Sequence, residues 1–146
     1  MGDLKLTYQV DGGDLVQAGE ASSQMKMTLK KLGLPPEIIR KASVCMYEGE
    51  INMVIHADGG RVEVEVGMDA ITIRLIDQGP GIPDVDRAME EGYSTAGDVA
   101  RDLGFGAGMG LPNMKRYSDE MRIDTTVGVG TTVTMRIDIN LSLIHI

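Results

Sequence analysis

The sequence predicts an α/β fold of two layers, in which helices cover one face of a mixed, mostly antiparallel sheet. Two observations predict this fold. Apolar residues recur every three or four positions in the first third of the chain, which is typical of helices, and alternate with polar residues in several segments after residue 60, which is typical of strands. Because alternating strands have one polar face, we expect helices on one side of the sheet only. With 146 residues, 42% of them hydrophobic, the chain is long enough for one core.

The N-terminal third predicts one strand and two helices. Leu4 to Val10 reads as a strand and ends in a turn at residues 11–13. Asp14 is then expected to cap a first helix that continues to Gly33. Its mostly apolar stripe consists of Leu15, Ala18, Ser22, Met25, Leu29 and Leu32. Prolines at 35 and 36 suit the start of a second, longer helix from Glu37 to about Ala57.

The remainder predicts two pairs of strands separated by a glycine-rich loop. Residues 62–66 and 71–75 alternate around a turn at 67–69, and a shorter strand at 121–125 precedes a turn at 128–130 and a final strand at 133–139. Residues 78–110 show little periodicity, which predicts a long loop of the functional kind. A helix is expected to follow at 112–117.

Composition limits the classes of function. The formal net charge of -8 disfavours nucleic acid or an anionic membrane as a partner and leaves a protein or a small ligand. The single cysteine, Cys45, allows no intrachain disulfide and suits a reducing compartment. No window has the apolar length of a membrane span, so we expect a cytoplasmic protein.

The last six residues, LSLIHI, are set apart from the fold. They resemble the translation of an adaptor used in preparing sequencing libraries, and residues 141–146 are therefore expected to be a non-native tail. A native hydrophobic end to the final strand is the alternative. Residues 1–140 are expected to form one domain.

Two polar residues on the second predicted helix are candidates for chemistry. Glu48 and Asn52 are four residues apart and therefore lie on one helical face. A carboxylate there suits a base that activates a nucleophile, and an amide oxygen suits Mg²⁺. A solvated helix face is the alternative when the pair is taken alone.

Asp77 is a candidate for binding an amine. It directly follows a predicted strand, where its carboxylate is able to accept a hydrogen bond from an exocyclic amine. Gly79 and Gly81 would let the backbone bend away and a flat ring approach. A turn without a binding function would have the same residues and is the alternative.

Gly106, Gly108 and Gly110 lead into the helix predicted at 112–117, where successive backbone N–H groups are able to hold an anion. The spacing fits neither the P-loop nor the dinucleotide motif, and a flexible linker is the alternative. The final strand opens with glycine at 130 followed by Thr131 and another threonine.

Taken together in this order, these pieces resemble the GHKL ATPases, the superfamily of gyrase, MutL and histidine kinase catalytic domains. The N-box ExxxN is Glu48 and Asn52, the first glycine box DxGxG begins at Asp77, the second glycine box GxGxG begins at Gly106, and the final GTT begins at residue 130. The resemblance covers nearly the whole chain. It is greatest to the anti-sigma factor serine/threonine kinases of the RsbW and SpoIIAB type, and it implies the Bergerat fold.

The resemblance also implies roles for the site residues. Asn52 would bind Mg²⁺, Asp77 would receive the adenine amino group, and Thr131 would share a water with it. The second glycine box would line the triphosphate, and residues 93–108 would form the ATP lid. Glu48 would be the general base toward the serine hydroxyl of a partner protein.

The function implied is an ATP-dependent serine/threonine protein kinase that sequesters a sigma factor and phosphorylates a STAS-type anti-sigma antagonist. A homodimer is also implied. Two alternatives remain open: a non-catalytic, ATP-dependent binding switch, and a histidine-kinase-like domain acting in trans. The latter needs a phosphoacceptor histidine, and the histidine that precedes the tail, His56, lies one helical turn beyond the N-box.

Overall fold

Five strands form one sheet in the order β1-β2-β3-β5-β4. A computed structural model describes residues 3–13, 16–57, 59–90 and 110–139 of the chain. The elements in chain order are β1 (Leu4–Asp11), α1 (Glu20–Lys31), α2 (Pro36–His56), β2 (Gly59–Val66), β3 (Ala70–Asp77), α3 (Val85–Ala88), α4 (Gly110–Tyr117), β4 (Glu120–Thr126) and β5 (Gly130–Asp138).

Every pairing between the described strands is antiparallel. Chain order and sheet order differ at one place, because β5 lies between β3 and β4. On β3 and β5 the buried residues alternate with more exposed ones, and the buried set includes Ile71, Ile73, Met135 and Ile137. One face of the sheet is therefore apolar, and the predicted two-layer fold is confirmed.

The helix α2 forms the centre of the second layer. It contacts β1, β2, β3 and β5, while α1 lies against β1 and α4 against β4. Proline occupies the first turn of α2, where the missing N–H costs no helical hydrogen bond. The observed bounds match the predicted second helix within one residue at each end.

The first helix begins later than the sequence predicts. In the structure α1 begins at Glu20. The preceding residue, Gly19, has the left-handed conformation with φ 99°, and no side chain from this segment caps the helix. Asp14 and Leu15 lie outside the described residues. The expectation that Leu32 continues the apolar stripe is wrong, because it is 49% exposed just after the helix ends.

A distant carboxylate caps α1 instead. Glu50, on α2, accepts hydrogen bonds from the backbone N–H groups of Gly19 at 3.0 Å, Ala21 at 3.2 Å and Ser22 at 3.0 Å. These N–H groups have no partner within the helix, and the positive end of the helix dipole favours an anion there. Glu50 is 3% exposed, so this contact joins the two helices inside the protein.

The described part of the predicted long loop, residues 78–90, includes a short helix, α3. Asp84 caps α3 by accepting from the Arg87 N–H at 3.0 Å. The helix predicted at 112–117 is confirmed as α4, which begins two residues earlier at Gly110. The expected lid at 93–108, with Gly106 and Gly108, and the tail at 141–146 lie outside the described residues. Within the described ranges no helix has the length and hydropathy needed to cross a membrane.

Glu50→Gln is expected to destabilise the protein by about 2 kcal/mol, because an amide replaces a charged acceptor and brings its own N–H donors toward backbone N–H groups. Urea unfolding monitored by circular dichroism measures the change. Glu20→Gln, an exposed substitution in the first turn of α1, is the control and should change stability by less than about 0.5 kcal/mol. Equal effects of the two substitutions would contradict the capping role.

Candidate active site

The α2 helix presents Glu48 toward α4. Glu48 Oε1 lies 3.5 Å from Asn113 Nδ2, a long hydrogen bond between side chains that are 65 positions apart in the sequence. Burial raises the pKa of the Glu48 carboxyl, and the Asn113 hydrogen bond opposes that shift. A raised pKa in a carboxylate next to a cleft is typical of a general base.

Asn52 lies one turn further along the same helix, beside the start of α4. A Cβ atom built on Gly110 would lie 3.0 Å from Asn52 Nδ2 and 3.1 Å from Oδ1. Glycine at 110 therefore lets the α4 backbone come close to the Asn52 amide. The structure thus joins the N-box to the last glycine of the second glycine box.

Asp77 ends β3 with its carboxylate fixed by backbone donors. Its Oδ1 accepts from the Gly79 N–H at 2.9 Å and from the Thr131 N–H at 3.2 Å. Neither bond uses Oδ2, which leaves that oxygen available to accept a hydrogen bond from a ligand. Asp77 and Thr131 are also register partners on β3 and β5.

The glycines after Asp77 have different surroundings. A Cβ on Gly79 would lie 2.7 Å from Ala57 Cα, at the end of α2, so this glycine permits close packing beside the carboxylate. A Cβ on Gly81, where φ is +81°, would lie 2.7 Å from the Thr126 carbonyl oxygen. Gly81 therefore shapes the contact between this loop and the β4–β5 turn, whereas Gly79 lies beside the candidate site.

Three residues of this region do not stand out in the sequence alone. Asn113 contacts Glu48, Glu50 holds α1 against α2, and the Thr125 hydroxyl lies 2.9 Å from the Thr131 hydroxyl. Thr125 is the cross-strand partner of Thr131, and counting residues outward from the β4–β5 turn would have found it. No local pattern marks the other two, because their partners lie on other elements.

A groove of about 340 Å³ lies between the α1 and α2 segments and reaches Glu48. It is lined by Gly19, Ser22, Ser23, Lys26, Ser43, Val44, Tyr47 and Glu48. Glu48 is therefore accessible from a surface on which a polypeptide hydroxyl is able to approach.

The oxygen ligand that the candidate site offers fits a nucleotide bound together with Mg²⁺. An amide oxygen is a hard ligand of the kind Mg²⁺ accepts, and Mg²⁺ in nucleotide sites takes one or two protein ligands with phosphates and water. Among the described residues no three His, Cys, Asp or Glu side chains gather in a way that would hold a metal without a nucleotide. Asn52 offers one such amide oxygen, which suits a metal that arrives with phosphate oxygens.

The chain matches the model of a known ATPase family. The model of the histidine kinase-, DNA gyrase B- and HSP90-like ATPases matches residues 44–141, which include Glu48, Asp77, Gly110 and Thr131. The chain belongs to this family, and the resemblance drawn from the motifs is confirmed.

Individual relatives of the chain indicate a narrower class of protein within this family. The chain is 33% identical over 108 residues to the serine/threonine-protein kinase RsbT of Bacillus subtilis (strain 168), covering 71% of this chain and 75% of RsbT. It is 31% identical over 130 residues to the anti-sigma F factor of Clostridium beijerinckii, covering 84% and 87%. It is 33% identical over 104 residues to the anti-sigma F factor of Caldanaerobacter subterraneus, covering 68% and 69%. These relatives support the predicted kinase and anti-sigma class.

Glu48→Gln is expected to stabilise the protein at neutral pH. Burial raises the pKa of Glu48 above its ordinary value of 4.5, so the folded state binds this proton more tightly than the unfolded state. The stability of the wild type therefore falls as pH rises through the unfolded and then the folded pKa, whereas the variant avoids that loss. Urea unfolding at several pH values should show the gain at pH 7 and its disappearance below about pH 4.

The matched control is Glu37→Gln, on the exposed start of the same helix, where the carboxylate forms an i,i+4 ion pair with Lys41. This substitution should give no gain at pH 7, because exposed pairs contribute little and solvent already stabilises the charge. A loss of stability in Glu48→Gln at pH 7 would refute the expectation.

Proposed function

We propose that this chain is an ATP-dependent serine/threonine protein kinase of the anti-sigma type, whose substrate is a STAS-domain antagonist protein. The observation that carries the proposal is the approach of α4 to α2. This packing brings the Gly110 backbone to Asn52 and Asn113 to Glu48, although the two helices are separated by more than fifty residues. The names of the relatives support the anti-sigma class.

The nucleotide would lie between the end of β3 and the start of α4. Asp77 Oδ2 would accept a hydrogen bond from the adenine amino group, with Thr131 beside it, while Gly79 lets the end of α2 pack closely beside the carboxylate. The backbone N–H groups of the second glycine box, at Gly106, Gly108 and Gly110, would hold the phosphates. The lid would be residues 93–108.

Asn52 would hold Mg²⁺, which, when bound, neutralises charge on the phosphates. Glu48 would accept the proton of the attacking serine hydroxyl, approaching through the groove between α1 and α2. Most of the catalysis in phosphoryl transfer comes from positioning and charge stabilisation, so one base, one metal ligand and a set of backbone donors are sufficient.

The partners in this proposal are a sigma factor and its STAS-domain antagonist, and the protein works in the cytoplasm as a homodimer. β1 is an edge strand of the described sheet, and Leu4 on β1 and Met27 on α1 are 40% and 58% exposed, which supports an interface there. Light scattering that gives a monomeric mass at micromolar concentration would contradict the dimer.

Residues 1–140 form the domain in this proposal, and 141–146 are non-native.

Asn52→Ala and Asp77→Asn are expected to weaken Mg-ATP binding at least tenfold. The first removes the metal ligand, and the second replaces the acceptor of the amino group with an amide that is able to turn a donor toward it. Calorimetric titration of residues 1–140 measures the dissociation constants. Wild-type protein that is folded but binds no Mg-ATP would overturn the proposal.

Glu48→Gln should leave Mg-ATP affinity within about twofold of the wild type and abolish phosphotransfer, because only the proton acceptor is lost. Labelled ATP with a STAS-domain protein as acceptor gives the readout. Burial raises the pKa of Glu48 in the free protein, so the profile of kcat/KM against pH, which reports groups of the free enzyme, is expected to have its acid limb above the ordinary carboxyl pKa. Full phosphotransfer by the variant would remove Glu48 from catalysis, and the absence of phosphotransfer by the wild type would favour the non-catalytic switch.

A further inference from the structure

Three polar side chains form a row across neighbouring strands at the candidate nucleotide site. In the register of the sheet, Asp77 on β3 is opposite Thr131 on β5, and Thr131 is opposite Thr125 on β4. Thr131 is 6% exposed, and its strand neighbour at i+2, Val133, is also buried. Residues two apart share a face of a strand, so the row faces the helical layer.

The Thr125 hydroxyl is constrained by three neighbours. It accepts from the backbone N–H of Ile82 at 2.9 Å, lies 2.9 Å from Thr131 Oγ1, and lies 3.4 Å from the Gly130 carbonyl oxygen. A hydroxyl has one proton to donate. The shorter distance favours donation to Thr131 over donation to Gly130, since O–H···O bonds are strongest near 2.7–2.8 Å.

This arrangement determines what Thr131 offers to a ligand. When Thr125 donates to Thr131 Oγ1, the proton of Thr131 itself is left to donate elsewhere. The site then presents an acceptor, Asp77 Oδ2, beside a hydroxyl donor. Adenine has the complementary edge, an amino donor beside the N1 acceptor, whereas guanine has a carbonyl oxygen beside an N1–H donor.

We propose that Thr125 is a positioning residue for base selection: its hydroxyl orients Thr131 as a donor, directly or through one water, and thereby favours adenine over guanine nucleotides. This assignment rests on the proposed nucleotide site. The opposite arrangement, with Thr131 donating to Thr125 and Thr125 to Gly130, would leave Thr131 an acceptor and would not favour adenine at this position. The two arrangements therefore predict different selectivity.

The test is calorimetric titration with Mg-ATP and with Mg-GTP, and the readout is the ratio of the two dissociation constants. Thr125→Val removes the hydroxyl at nearly constant volume and should reduce the preference for ATP about tenfold, whereas Thr125→Ser should keep it. Thr126→Val is the matched control, because Thr126 is the exposed neighbour on the opposite face of β4 and should leave the ratio unchanged.

A double-mutant cycle separates base selection from any loosening of the loop at Ile82. Thr131→Val alone should reduce the preference for ATP, and adding Thr125→Val to it should reduce the preference no further, because the positioning residue acts through Thr131. Loosening of the loop would instead weaken both nucleotides by the same factor. Thermal unfolding of each variant checks the fold, and Thr125→Ala replaces Thr125→Val in every arm if the valine variant does not fold.

Two results would overturn the assignment while leaving the proposed function standing. One is an unchanged ratio in Thr125→Val, and the other is an equal effect of that substitution with and without the Thr131 hydroxyl. Wild-type protein that binds neither nucleotide would overturn the nucleotide site itself, and with it this role of Thr125.

Discussion

The close packing of α2 on the sheet is the constraint on which the rest of the structure depends. A Cβ atom on Gly49 would collide with the buried Leu75 side chain of β3, so glycine lets the helix lie this near the strand without displacing that side chain. Successive helical residues are rotated by about 100°, so the neighbours of Gly49 point to opposite flanks. Glu48 turns toward α4, where it meets Asn113, and Glu50 turns toward α1, where it caps the helix.

Two carboxylates only two positions apart therefore have different tasks. Glu50 is surrounded by three backbone N–H donors, which stabilise its charge and make it a structural anchor. Glu48 has one long hydrogen bond and a pKa raised by burial, so its charged form is poorly stabilised and ready to take a proton. The same helix carries Asn52 one turn away, and α4 packs beside both Asn52 and Glu48 on this flank.

The sequence predicts the parts of this molecule whose signals are local. Alternation of apolar and polar residues indicates the strands, and the prolines at 35 and 36 indicate where α2 begins. The start of α1 is not predictable in this way, because its cap, Glu50, comes from another helix. For α3 a local signal exists, since Asp84 precedes the short helix and caps it, but the surrounding glycines and prolines favour a loop.

The same distinction applies to the candidate site, where some residues have a local sequence signal and others do not. Glu48, Asn52 and Asp77 are visible as motifs, because their spacing along one helix or their place at a strand end carries the information. Asn113 is not visible, because its task is defined by a contact across 65 positions. The role of Thr125 is defined by its pairing across the sheet. The alternation that predicts β4 and β5 also predicts the register that places Thr125 beside Thr131.

The position of β5 between β3 and β4 has a consequence for biosynthesis. Asp77 and Thr131, 54 positions apart, become neighbours only when β5 pairs with β3, and β4 has no strand partner other than β5 in the described sheet. During translation β3 therefore keeps an open edge, with unpaired backbone groups, until the ribosome has released β5. Such long-range pairing also slows folding. The carboxylate of Asp77 is thus fixed late, and a nascent chain lacks the ordered row of Asp77, Thr131 and Thr125 until nearly all of the sheet has been made.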